Sequence, residues 1–317
     1  YFIGMTSMMV YNFGSAILRA VGDTKRPLYY LSAAGVINIG LNLLFVIVFR
    51  MSVAGVALAT VISETISASL VIRCMMKEKG SIRLTPSKLR IHPKRFAEIL
   101  RIGLPASLQG VIFAISNVII QSSVNSFGST VVAGNSAASN IEGFVYVSMN
   151  SFYQGTISFT SQNVGAGKYE RVNKILFTAQ ACVIVTGLVL GNLAVFFGPD
   201  LLGFYTRSAA VKAAGMNRLK IICTVYALCG IMDVMVGSLR GLGYSVMPTI
   251  VSLIGACGLR LLWIFTFFRI YEQFHTPQSL YLTYPVSWII TICAHVVCFV
   301  IVRRRISRRL KTQSMAQ

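Results

Sequence analysis

Leu18-Arg19-Ala20-Val21-Gly22, four residues and then Pro27 return as Leu239-Arg240-Gly241-Leu242-Gly243, four residues and then Pro248. The second copy lies 221 positions after the first, with no gap. Each copy follows one apolar run and precedes another, so each reads as a loop between two membrane spans. A chain that repeats a set of spans has the usual build of a transporter, with its substrate path between the two halves.

Outward from these loops, apolar runs of about 20 residues recur, the length that crosses a hydrocarbon core of about 30 Å. Nine spans are expected, at 3–21, 29–49, 53–73, 103–127, 131–160, 175–198, 217–239, 247–269 and 283–302. Small and polar residues interrupt the run at 131–160, making it the weakest by hydropathy. Hydrophobic residues make up 55% of the chain, charged residues 12%, and the mean hydropathy is +0.69. Soluble domains carry about 25% charged residues. The expected fold class is an all-α membrane protein.

The stretch 74–101 is basic and polar, carries Pro86 and Pro93, and divides three spans from six. It reads as a cytoplasmic linker between two lobes of a helical bundle. Residues 1–73 then form the last three spans of a first lobe, 102–304 a second lobe of six spans, and 305–317 a basic cytoplasmic tail. The repeated loop closes the fourth span of the second lobe but the first span present in the first. Equivalent lobes therefore imply three further spans upstream, roughly 120 residues, so that nine spans are present of an expected twelve. Both loops fall on one face, which makes the internal repeats parallel.

The net charge of +20 would point to nucleic acid in a soluble protein. Its distribution points elsewhere. With the amino terminus outside, 22 of the 29 Lys and Arg lie on one side, six on the other (Arg50, Arg207, Lys212, Arg218, Lys220 and Arg269), and Arg260 lies inside a span. That asymmetry sets the carboxyl terminus in the cytoplasm. The run Arg303-Arg304-Arg305-Ile306-Ser307-Arg308-Arg309 is expected to rest on anionic headgroups. The lipid bilayer is thus the expected partner, and nucleic acid is not. The seven cysteines lie in or at the ends of apolar runs without a CxxC pair, and read as small core residues.

Several short stretches taken together carry a family resemblance. They are the two repeated loops, Ile102-Gly103-Leu104-Pro105, Ser129-Thr130-Val131-Val132-Ala133-Gly134, and Gln162-Asn163-Val164-Gly165-Ala166-Gly167-Lys168; Gly55-Val56-Ala57-Leu58-Ala59-Thr60 is similar too. The set resembles the multidrug and toxic compound extrusion (MATE) family in its bacterial branch, over nearly the whole chain and in the right order. The resemblance implies twelve spans in two six-helix lobes, a central cavity open to each side in turn, and export of cationic or amphipathic compounds driven by Na⁺ or H⁺ entry. It also implies a multi-pass protein of the bacterial cytoplasmic membrane, with no cofactor beyond the coupling ion. A monomer is expected. Gly165-Ala166-Gly167 follows an apolar helix rather than a strand and lacks Gly-Lys-Ser/Thr, so it reads as a helix terminus and not as an ATP site.

A carboxylate inside a span is costly and should face a bundle interior or water. Of nine acids, six lie in loops or at span ends, leaving Glu64, Glu142 and Asp233. Asp233 corresponds through the repeat to Asn12, and Tyr226, Gly230, Asp233, Gly237 and Arg240 share one small, polar helix face. That face suits a cavity wall; the alternative is an ion pair between Asp233 and an arginine such as Arg260. Asn135, Ser139, Glu142, Tyr146, Asn150 and Tyr153 form a second stripe, and Asn117, Gln121 and Asn125 a third. Two neighbouring polar stripes line a hydrated pocket or tie helices together by hydrogen bonds. Glu64 has Ser63, Thr65 and Ser67 beside it and reads equally as buried structure.

Asn38 and Asn42 match an Asn-x-x-x-Asp pattern that the resemblance links to cation handling in the first lobe, with amide in place of the acid. Some family members carry an acid where Phe113 falls, so their sodium site does not carry over intact. Tyr11, Met8, Met9, Tyr146, Met149, Tyr153 and Met232 offer soft, flat contacts for apolar cations. The reading is a secondary exporter of cationic or amphipathic drugs and toxic compounds, with Asp233 and Glu142 as its coupling carboxylates. A lipid-linked saccharide flippase of the same superfamily is the near alternative, favoured by a basic cavity. A membrane-embedded enzyme is the distant one, and His92, His275 and His295 are too scattered to form a catalytic set.

Overall fold

The computed structural model describes residues 2–80 and 82–315, without the side chains of 309–315, so the expected basic contacts of Arg309 and Lys311 lie outside what is described. Among the described residues there are helices and turns and no strand. The chain divides into two units, Tyr1–His92 and Pro93–Gln317. Helices α1 (Met5–Ala20), α2 (Lys25–Leu43) and α3 (Ser52–Lys77) build the first. The second holds α4 (Pro93–Asn125), α5 (Ser129–Gly165), α6 (Arg171–Phe196), α7 (Gly198–Gly203), α8 (Ala209–Ile222), α9 (Ala227–Gly241), α10 (Val246–Ser252), α11 (Leu259–Trp263) and α12 (Pro277–Met315). Between α3 and α4 the described residues of 78–92 are non-helical apart from a 3-10 turn at Pro86–Lys88, so much of the expected linker is helix.

The repeated loops share one backbone geometry. After α1, Gly22 takes φ +91°, its N–H donates to Arg19 O at 3.0 Å, and Asp23 N–H donates to Leu18 O at 3.0 Å. After α9, Gly243 takes φ +88°, and the bonds are Gly243 N–H to Arg240 O (2.9 Å) and Tyr244 N–H to Leu239 O (3.0 Å). This is the left-handed helix stop in which a Gly without Cβ satisfies the last carbonyls. Gly167 closes α5 in the same way, with Lys168 N–H donating to Asn163 O at 2.8 Å. The N–H groups that a phosphate loop would turn toward a ligand are here consumed by the preceding helix.

Six helical stretches are long and apolar enough to cross a membrane: Lys25–Val48, Ser52–Lys77, Pro93–Asn125, Arg171–Phe196, Val246–Phe268 and Pro277–Arg308. A seventh is the pair Ala209–Val225 and Ala227–Gly241, bent by 48°. The two remaining stretches of the nine expected are helical but fall short on this measure: α1 has only 16 residues, and α5, with 37, is too polar. The protein is a multi-pass, all-α membrane protein.

In the second unit α9 sits at the centre, against α5, α6 and α12. Glycines allow the close approach. A Cβ on Gly191 of α6 would lie 2.1 Å from Cys223 O, and one on Gly237 of α9 would lie 2.9 Å from Tyr153 O. Helix pairs in membranes gain from such small-residue contact because lipid tails offer little hydrophobic drive. Two local breaks then re-aim side chains. A 3-10 turn, Cys223–Val225, separates α8 from α9, and π segments at Leu253–Gly258 and Ile264–Phe268 flank the five residues of α11 that carry Arg260. Such interruptions of α-helix often mark functional positions.

Candidate functional site

The second unit holds an open cavity of about 760 Å³ lined by α4, α5, α8, α9, α11 and α12. Into it the polar stripes converge. Asn117 and Gln121 reach it from α4; Asn135, Glu142, Tyr146 and Asn150 from α5; Tyr226 and Asp233 from the start and middle of the α9 segment; Arg260 from α11. Nine of the residues singled out by sequence thus meet in one place. The glycines of the α9 face do not line it: Gly230 and Gly237 press against α5 and α6, while Tyr226, Asp233 and Arg240 on the same helix turn inward.

A hydrogen-bonded chain runs along one wall. Gln121 donates to Asn125 Oδ1 (3.1 Å) and accepts from Asn135 Nδ2 (3.0 Å), so the two stripes both line the cavity and join α4 to α5. Asn135 Oδ1 accepts from Arg218 Nη1 at 2.8 Å. Arg218 then donates through Nη2 and Nε to Glu142 Oε2, at 2.6 and 3.1 Å, and Tyr226 OH donates to Oε1 at 3.3 Å. The Arg218 guanidinium also lies over the rings of Tyr281 and Tyr284, 5.5 and 5.4 Å from their centroids. Glu142 is therefore a fully engaged carboxylate.

Counting Lys and Arg along the sequence had put Arg218 on the outer side. It is instead 6% exposed within the cavity wall, because α8 continues toward α9 and its face joins that of Tyr226, eight residues on. That spacing was the available signal. Arg240, counted on the cytoplasmic side but also read on the cavity face of its helix, enters the cavity, hydrogen-bonded to Tyr153 OH, to Gln109 Oε1 (2.7 Å) and to Thr249 Oγ1 (3.2 Å).

Asp233 is different. It makes no ion pair or hydrogen bond among the described residues, and its Oδ2 is buried without a partner. The alternative of a pair with Arg260 is not realised. Arg260 donates to Ser287 Oγ (2.9 Å) and lies 4.0 Å over the Tyr284 ring. Three guanidinium groups and two carboxylates line the cavity, so the acid and amide character read from the stripes is only half of its charge.

The other singled-out residues belong to the first unit. Asn42 donates to Asn38 Oδ1 (2.9 Å) and Asn38 to Ser63 Oγ (3.1 Å), which ties α2 to α3. Asn12 is exposed on α1, and Glu64 is half-buried on α3 near Gly4. All seven cysteines are unpaired; Cys74, Cys223, Cys229 and Cys257 are buried, whereas Cys182 and Cys293 are exposed. Met232 lines the cavity, and Met149 is fully buried against Gly230.

The family model described as MatE matches residues 105–266. The probable multidrug resistance protein YpnP of Bacillus subtilis is 30% identical over 92% of the chain, which spans 64% of that relative's length. Among solved structures, the Vibrio cholerae MATE transporter VcmN in its bent form superposes with a TM-score of 0.83 at 19% identity, over 96% of this chain and 68% of that one. A MOP superfamily transporter from Pyrococcus furiosus, described for the reverse polarity of its binding pocket, superposes with a TM-score of 0.82 at 21% identity, over 94% and 66%.

Proposed function

The chain belongs to the MatE family, and from that premise we propose that it exports amphipathic drugs or toxic compounds by alternating access, driven by Na⁺ or H⁺ entry. The observation that carries this is Asp233, a carboxylate without partner on the wall of a polar cavity. A lone carboxylate in such a place needs a cation to sit beside it or a proton on it. An exporter whose cavity must trade an inward ion for an outward substrate has use for one such group. Glu142, committed to Arg218, is the weaker candidate of the two carboxylates expected from sequence.

The relatives named above are transporters, and we read no enzyme in this chain. The matched helix stops after α1 and α9 support parallel repeats, with α1 and α5 counted as spans to make nine. In this reading the carboxyl terminus is cytoplasmic, the membrane is the bacterial cytoplasmic membrane, and the working unit is a monomer independent of ATP.

Cationic substrates, expected from the acid and amide stripes, would share this cavity with three guanidinium groups. One observation therefore favours a second reading: those arginines bring the saccharide-lipid flippase, which carries an anionic headgroup, closer than the stripes alone would. Efflux from vesicles, with the Na⁺ and H⁺ gradients imposed in turn and an ATP control, tests the export reading. Substrate movement that ignores both gradients would sink it.

A further inference from the structure

Two of the cavity's arginines make no direct ion pair among the described residues. Arg218 is matched by Glu142 at 2.6 Å, whereas no carboxylate lies within ion-pairing distance of Arg240 or Arg260 among the described residues. Arg240 spends its two Nη groups on Tyr153, Gln109 and Thr249, although its Nε is buried without a partner among the described residues. Among the described residues Arg260 has one hydrogen bond, from Nε to Ser287 Oγ, although it is 5% exposed. A guanidinium so withdrawn from bulk water and so little bonded carries a desolvation cost. The rings of Tyr284 and Trp288, centred 4.0 and 5.8 Å from its Cζ, offset part of that cost. They do not use its remaining N–H groups.

We propose that Arg260 is a receptor for the oxyanion of an amphipathic substrate: a carboxylate, sulfonate or phosphate carried on a planar aromatic body. The guanidinium fork matches such groups with two parallel hydrogen bonds, which an ammonium cannot do. Tyr284 and Trp288 stand beside it, and Tyr226 packs edge-on to Trp288 with centroids 5.5 Å apart, so an aromatic wall adjoins the charge. At about 760 Å³ the cavity is in the size range of sites for drug-sized ligands. Asp233, on α9 and not paired with Arg260, remains for the ion, so anion and coupling cation have different side chains to bind.

This deepens the export reading by giving the substrate its charge, and its test reads binding alone, so a failure of coupled export would show separately. The full chain in phosphatidylcholine nanodiscs is titrated with pyrenesulfonate, pyrenemethanol and pyrenemethylammonium, three probes that share a ring system. The sulfonate should bind at least about tenfold more tightly than the other two, the scale of one charge-assisted hydrogen-bonded pair. Arg260→Gln should erase that preference, weakening the sulfonate far more than pyrenemethanol, with Arg260→Lys retaining part of it. The wild-type ranking stands without either variant should one fail to fold. Phosphatidylglycerol in the nanodisc separates two sources of the same chemistry: loss of sulfonate binding assigns the seat to a lipid headgroup, and retention assigns it to a soluble anion. Tighter binding of pyrenemethylammonium, equal binding of all three probes, or no binding would overturn the proposal.

Discussion

Arg218 on α8 and Glu142 on α5 meet at 2.6 Å with 7% and 13% of their side chains exposed. Each is held by further groups, Arg218 by Asn135 and two tyrosine rings, and Glu142 by Tyr226. The pair clamps the wall of the cavity and removes Glu142 from the supply of free carboxylates. A buried pair of this kind adds little net stability when intact, but breaking it strands a charge.

Glu142→Leu should therefore cost about 3–5 kcal/mol by leaving Arg218 uncompensated, while Glu142→Leu combined with Arg218→Met should cost less than either of those single changes. Thermal unfolding of the four proteins in one detergent, as a double-mutant cycle, checks this. Additive losses would mean that the two side chains do not act as a pair.

Close helix approach gives a second prediction. Gly191→Ala drives a methyl to within 2.1 Å of the Cys223 carbonyl oxygen, and backbone at a helix break cannot rotate away as a side chain would. The expected loss is at least the 1–3 kcal/mol that overpacking costs, roughly, in a filled core. Gly155→Ala, which meets nothing within 4 Å, is the control and should be neutral or slightly stabilising. Equal melting temperatures for the two variants would contradict the packing described.

Most of the cavity was legible because its helices keep their period. Asn117 and Gln121 on α4, and Asn135, Glu142, Tyr146 and Asn150 on α5, recur every three or four residues along unbroken helices, so the sequence alone groups them. The arginines were harder to read. Arg218 reaches the cavity across a 3-10 turn, and Arg260 is placed by two π segments, neither of which leaves a mark in hydropathy. Asn38 and Asn42 sat on a clear one-turn spacing, yet that spacing serves a contact between α2 and α3 through Ser63. Span counting met a similar limit at α5: the polar stripe that makes it a cavity wall also lowers its hydropathy.

The loop after α1 predicts a pH dependence. Burial disfavours ionisation of Asp23, but hydrogen bonds from the Arg26 backbone and side chain outweigh it and hold the carboxyl below its ordinary 3.8. A depressed pKa means that the ionised form stabilises the fold at neutral pH, and that this contribution is lost as pH falls through the folded-state value. Asp23→Asn should lower the melting temperature at pH 7 by the small amount an exposed ion pair is worth, about 1 kcal/mol or less, and should converge on wild type as pH falls below the depressed folded-state value. A difference that persists undiminished at low pH would assign the effect to something other than the charge.

Orientation is checked by labelling. Lys and Arg crowd the segment around the Pro86–Lys88 turn, which argues for a cytoplasmic position. Single cysteines placed at Ser87 and Gln273 in a Cys-free background should differ in intact cells: an impermeant thiol reagent reacts at Gln273 and spares Ser87. Labelling of Ser87 would reverse the orientation.

The last prediction concerns Asp233. Its Oδ2 is buried with no donor among the described residues, and Gly230 and Gly237 on either side lock its helix against α5 and α6. The carboxylate is thus held in position by packing and not by a bond of its own. Asp233→Asn keeps the shape and breaks no ion pair, so folding and thermal stability should remain within about 1 kcal/mol of wild type. What it removes is the charge that a proton or Na⁺ would neutralise. If that ion drives export through linkage with the substrate, efflux per folded molecule should fall at least about tenfold and lose its dependence on the imposed gradient. Substrate affinity measured without a gradient should change less, since Arg260 and its aromatic neighbours stand on other helices. A structural role predicts the opposite pattern, with lower stability and unchanged turnover. Efflux normalised to folded protein across pH and Na⁺ concentration separates the two. If Asp233→Asn exports at the wild-type rate with the same ion dependence, Asp233 is not the coupling residue, and Glu142, released from Arg218 at some stage of the cycle, takes its place.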